Sequence, residues 1–127
     1  MQQLDAVDVV VDVNARRGVA LRNVPATLDV FDSHFPRFPV LPGVLVLGSL
    51  VELARLVCVV EDPHGHWRLL RARRVQYRHF VRPGDQLELS VDLRMGPAHG
   101  VAVFSGEIRV DGSVVTGARE LHLVRAA

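Results

Sequence analysis

The sequence predicts an α+β fold in which antiparallel strands, about six of them, wrap one long buried helix. Three observations carry that expectation. Valine-rich runs recur along the chain, at their clearest with strict polar–apolar alternation. One proline-free apolar stretch, Val44 to Val60, is too long for a strand and has the length of a helix. Turn residues separate the remaining runs at short intervals, and no internal repeat or low-complexity segment interrupts them.

Taken in order, Val7 to Val13 and Gly18 to Val24 form a hairpin around Asn14-Ala15-Arg16-Arg17. A proline-rich loop follows, then the helix. The helix is apolar nearly all round, with Glu52 and Arg55 as its main polar interruptions, so it belongs inside the protein. Glu61 to His66, containing Pro63 and Gly65, ends it. Trp67 to Phe80 reads as a strand with arginines at its polar positions. From Gln86 to Leu93, Leu87, Leu89, Val91 and Leu93 face one side, while Gln86, Glu88, Ser90 and Asp92 face the other. Val101 to Val110 and Ser113 to Val124 pair around Asp111-Gly112, a type I′ turn signal.

With 127 residues, 49% of them apolar, the chain suits one domain spanning 1–127. No apolar run reaches the ~20 residues needed to span a bilayer, and Met1-Gln2-Gln3-Leu4-Asp5 has no signal-peptide character, so a cytoplasmic protein is expected. All basic residues are arginine, yet the net charge of +1 is too small to suggest nucleic acid. Cys58, the one cysteine, excludes an internal disulfide and reads as a buried, inert thiol.

The chemistry concentrates in residues 34–43, His-Phe-Pro-Arg-Phe-Pro-Val-Leu-Pro-Gly. Pro36, Pro39 and Pro42 fix their own φ angles and restrict the residues before them. His34 is thereby held in a stiff loop beside a helix N-terminus, whose free N–H groups can hold a carbonyl oxygen or an anion. An imidazole titrating near pH 6.5 is suited to proton abstraction at neutral pH. The layout fits acid–base chemistry on a carbonyl compound.

This stretch resembles the hot-dog-fold 3-hydroxyacyl-carrier-protein dehydratases of bacterial fatty-acid and polyketide synthesis. The likeness rests on His34-Phe35-Pro36, on Pro39-Val40-Leu41-Pro42-Gly43-Val44-Leu45, and on Tyr77 to Gln86 with its Pro83-Gly84-Asp85 corner; it covers roughly residues 7–124. It implies a hot-dog fold and a dimer joined edge to edge. It implies that His34 removes the α-proton of the thioester and that the Gly43 N–H steadies the enolate oxygen. Phe35, Pro42, Val44 and Gly48 would line the acyl path along the helix. The substrate would be an acyl chain linked through phosphopantetheine to an acyl carrier protein. Neither a metal nor an organic cofactor is implied.

One position departs from the family. Its catalytic carboxylate lies fourteen residues after the histidine, and here that position is Gly48. Glu52, one helical turn on, shares the helix face and is a candidate acid; its plainer reading is an ion pair with Arg55. Because each site in the family joins the histidine of one subunit to the carboxylate of the other, a heterodimeric partner could also supply the acid. A catalytically silent subunit and a hot-dog thioesterase are the competing classes. His64-Gly65-His66 reads as a surface loop, not a metal site. The basic stretch of Arg68, Arg71, Arg73, Arg74, Arg78 and Arg82 is a solvated face that could meet an acidic carrier.

Overall fold

The computed structural model describes residues 8–24 and 43–126, with 43–45 through their backbone alone. Strands β1 (Val9–Val13) and β2 (Arg17–Asn23) form the first hairpin. Asn14 Oδ1 closes it, accepting from the N–H groups of Arg16 at 2.8 Å and Arg17 at 2.9 Å. On β2, Gly18, Ala20 and Arg22 alternate inward. A methyl group on Gly18 would lie 2.9 Å from Leu53 and 3.0 Å from Val57, so glycine lets the strand approach the helix.

Helix α1 (Gly43–Glu61) has the expected extent to within one residue at each end. Val46, Leu50, Leu53, Ala54, Val57 and Cys58 are buried on it, the i, i+3, i+4 spacing of a core-facing stripe. After Glu61 the chain reverses around Asp62. The carboxylate of Asp62 accepts from Trp67 Nε1 at 3.1 Å and Arg125 Nε at 2.7 Å. Arg55 Nε donates to the Trp67 carbonyl at 2.8 Å, so the helix end, the next strand and the C-terminal strand are tied together.

β3 (Trp67–Tyr77) stops three residues earlier than the sequence suggests. The amides of Arg78 and His79 both turn toward the Val115 carbonyl, at 2.8 and 3.4 Å, which takes the chain out of the ladder. β4 (Gln86–Met95) runs two residues further than expected and has the predicted buried set of Leu87, Leu89, Val91 and Leu93. β5 (Val101–Val110) and β6 (Ser113–Arg125) are joined through Asp111 and Gly112, with φ of 50° and 80°, the paired positive values of a type I′ turn.

The described strands make one antiparallel sheet in the order β1-β2-β4-β5-β6-β3. α1 packs against β2, β3, β4, β5 and β6. Phe104, Leu50, Leu53, Leu87, Leu89, Ile108, Leu121 and Leu123 fill the space between helix and sheet. Among the described residues the α+β expectation is met by a sheet around one long helix, with β1 and β3 at the edges of the sheet.

Candidate active site

Gly43 opens α1, as the sequence suggests, and the N–H groups of a first helical turn have no partner within the helix. The positive end of the helix dipole therefore lies at the residue that follows the proline-rich segment. His34, Phe35 and Pro42 lie outside the described residues, and of Val44 only the backbone in this first turn is described.

The chain on the near side of that segment is well anchored. Val24, buried, donates its N–H to the Asp85 carbonyl at 2.9 Å and accepts from Gly84 N–H at 2.8 Å. Gly84 has φ of 87°, a conformation suited to glycine. Asp85 braces the corner by accepting from Arg82 N–H at 2.8 Å. The Pro83-Gly84-Asp85 corner thus holds the strand end from which the chain enters the His34 segment. A concavity of about 680 Å³ beside it is lined by Tyr77, Arg78, His79, Phe80 and Arg82 among others.

Along α1, Gly48 is half-buried and stands one turn before Glu52. The Glu52 carboxylate is half-buried and accepts from Arg55 at 3.2 Å. Arg55 is itself held by Trp67, so Glu52 is drawn toward the C-terminal half of the helix. The structure therefore contains the ion pair that was the plainer reading of Glu52.

Arg22 was missed from the sequence. It is buried on the inner face of β2, where a charged group is uncommon. Extending the two-residue alternation from Gly18 and Ala20 would have found it. Among the described residues no three His, Cys, Asp or Glu side chains gather as a metal site needs. Of the two carboxylates near His64 and His66, Glu61 and Asp62, Asp62 is bound to Trp67 and Arg125.

Cys58 is buried on α1, and burial, with Asp62 as a smaller influence, pushes its thiol up to about 12. The thiolate is the reactive species. Native protein at pH 8 is expected to resist a disulfide reagent such as dithiobisnitrobenzoate, with one equivalent released only on unfolding. Rapid labelling of the folded chain would contradict the burial.

A six-stranded antiparallel sheet wrapped around a buried helix, with a histidine-bearing proline segment preceding that helix in the sequence, defines a hot-dog protein. A family model described as ApeI-like, ApeI dehydratase, matches residues 11–117, and the chain belongs to that family. A 3-hydroxyacyl-acyl-carrier-protein dehydratase of Granulibacter bethesdensis is 36% identical over 117 residues, covering 88% of this chain and 68% of the relative. The corresponding Bacillus velezensis dehydratase is 33% identical over 110 residues, covering 80% and 78%. Among solved structures, the dehydratase heterocomplex ApeI:P of Xenorhabdus doucetiae matches with a TM-score of 0.81 at 15% identity, over 100% of this chain and 87% of that one. A hypothetical thioesterase from Streptococcus pneumoniae, solved with coenzyme A, shares the fold with a TM-score of 0.74 at 12% identity, over 93% and 84%. The fold is the hot-dog fold.

Proposed function

We propose that this chain is a 3-hydroxyacyl-carrier-protein dehydratase, or the histidine-bearing subunit of one, working in the cytoplasm. The observation that carries this is the His34-Phe35-Pro36 to Pro42-Gly43 motif leading to the first residue of α1 in a chain of the dehydratase family. His34 takes the α-proton, and the Cα–H electron pair moves toward the thioester carbonyl. The enolate oxygen is held by the Gly43 N–H at the positive end of the helix. The electrons then form the C=C bond as the β-hydroxyl leaves, protonated by an acid, as water. The acid recovers its proton from the His34 imidazolium, so the cycle needs neither metal nor organic cofactor. Phe35, Pro42, Val44 and Gly48 line the acyl path. Arg78 and Arg82, exposed beside the Pro83-Gly84-Asp85 corner, suit the carboxylates and phosphodiester of an acyl carrier protein.

Two groups compete to be the acid. Glu52 lies four residues beyond Gly48, a displacement of about 6 Å along the helix axis, and its carboxylate is engaged by Arg55. Both facts favour a carboxylate from a second hot-dog subunit over Glu52. The deciding assay supplies purified chain with a 3-hydroxyacyl-carrier-protein and follows water loss by mass, with Glu52→Gln alongside. Turnover by the wild type that a folded Glu52→Gln variant lacks would identify Glu52 as the acid. Absence of turnover by the folded wild type alone would remove a self-sufficient Glu52 for that substrate and favour a partner-dependent or silent subunit, and release of free thiol would replace the dehydratase by a thioesterase.

A further inference from the structure

We propose that the outer face of the sheet binds a small molecule carrying a phosphate monoester or diphosphate, held between Arg74, Arg78 and Arg119. A groove of about 780 Å³ runs there from β3 across β6 to β5, bordered by these three arginines. In the register, Gln76, Gly117 and Glu107 form one row across the three strands, and Val75, Ala118 and Gly106 form the next. A Cβ on Gly106 would lie 3.3 Å from Leu50 of α1, so that second row faces the helix. The row of Gly117 therefore faces away from it. The groove is separate from the site at the helix N-terminus, and the proposal stands independently of the dehydratase reading.

Two local conflicts mark the groove. Arg74 lies inside β3 with φ of 54°, in the left-handed region that residues other than glycine rarely adopt. The register pairs Arg73 with Glu120 and Val75 with Ala118, which sets Arg74 opposite Arg119 between them. Like charges directly opposite across strands are destabilising. Neither guanidinium has a hydrogen bond or ion pair among the described residues. Glu120, next to Arg119 on β6, is engaged by His122 at 3.1 Å. Glu107, the one carboxylate among the described residues of the groove, is paired with Arg109 at 3.0 Å. Strained backbone and uncompensated charge at one spot point to a function that offsets their cost, and a bound anion does so by relieving the repulsion.

Shape and lining select the ligand. A Cβ on Gly117 would meet nothing within 4 Å, so the middle of the groove is open. Its three strands span about 10 Å, the width of a small phosphorylated molecule. Arg78 donates to Gln76 Oε1 at 3.2 Å, which holds a third guanidinium at the rim. The guanidinium fork matches phosphate oxygens in pairs. Three converging cations suit a group with more than one negative charge, and a phosphate monoester carries about −1.5 to −2 at pH 7. A carboxylate or a phosphodiester carries a single charge. No aromatic side chain is among the described residues lining the groove, so it has no stacking platform for a nucleobase.

Isothermal titration of inorganic pyrophosphate into the full chain, at an ionic strength fixed with sodium chloride, should show one site per chain. Arg74→Gln with Arg119→Gln should weaken binding by about tenfold or more, the scale of lost charge-assisted bonds. Gly117→Val keeps every charge and places a strand-forming residue in the open middle of the groove, and it should weaken binding as much. Dimethyl phosphate, with its single charge, should bind about tenfold more weakly than pyrophosphate. Pyrophosphate should also raise the unfolding temperature of the wild type and leave that of both variants unchanged. Absence of binding to the wild type, equal binding of dimethyl phosphate, or binding retained by either folded variant would overturn the proposal. Should the arginine variant fail to fold, Gly117→Val decides under the same criteria.

Discussion

Replacing His34 by alanine is expected to lower the dehydration rate by about 10²–10⁴-fold, the range that a positioned general base contributes. The loss should fall on kcat, because proton abstraction is made in the transition state and not in binding. His34→Gln keeps a polar side chain of similar reach but has no basic nitrogen, and it should be as inactive as His34→Ala. Neither variant removes a residue of the described core, so far-UV circular dichroism and thermal unfolding should match the wild type. The wild-type rate should also decline in acid, where imidazole takes up a proton and ceases to be a base. Full activity in His34→Ala, measured with whichever partner supports turnover, would remove the histidine from the mechanism.

Phe104→Ala should have the largest effect on stability. Phe104 is fully buried at 0% exposure, between Leu93 of β4 and Leu121 of β5's other neighbour, β6. Truncating such a side chain costs about 3–5 kcal/mol through lost transfer energy and the cavity left behind. Against a total stability of about 5–15 kcal/mol that is a large share, and Tm should drop on the order of 10 °C or more. Leu70→Ala, at an exposed site on the sheet edge, should stay within about 0.5 kcal/mol of wild type. Urea unfolding measures both, and equal effects of the two substitutions would contradict the burial pattern.

The candidate site was partly legible in the chain. The helix start at Gly43 follows from three prolines giving way to a proline-free apolar run. The possible pairing of Glu52 with Arg55 follows from helical spacing, because residues three apart share a face. That Arg55 is in turn fixed by the Trp67 carbonyl was not legible, since this contact crosses from helix to strand. Arg22 was hidden for a related reason. Its charge suggests solvent, and only the packing of the helix on the inner face of β2 puts it inside.

What the sequence by itself determined is what local periodicity and turn chemistry encode. These are the central helix to within one residue at each end, the alternation of β4, the Asn14 turn and the Asp111-Gly112 hairpin. What only the tertiary structure decided is how distant segments meet. Nothing local orders the strands as β1-β2-β4-β5-β6-β3 or leaves arginine-rich β3 on the outside. Asp62 joins Trp67 to Arg125, and one carbonyl, Val115, draws Arg78 and His79 out of β3. The spacing of residues along a chain sets which face each presents, but contacts across many residues are chosen by the packing of the whole core.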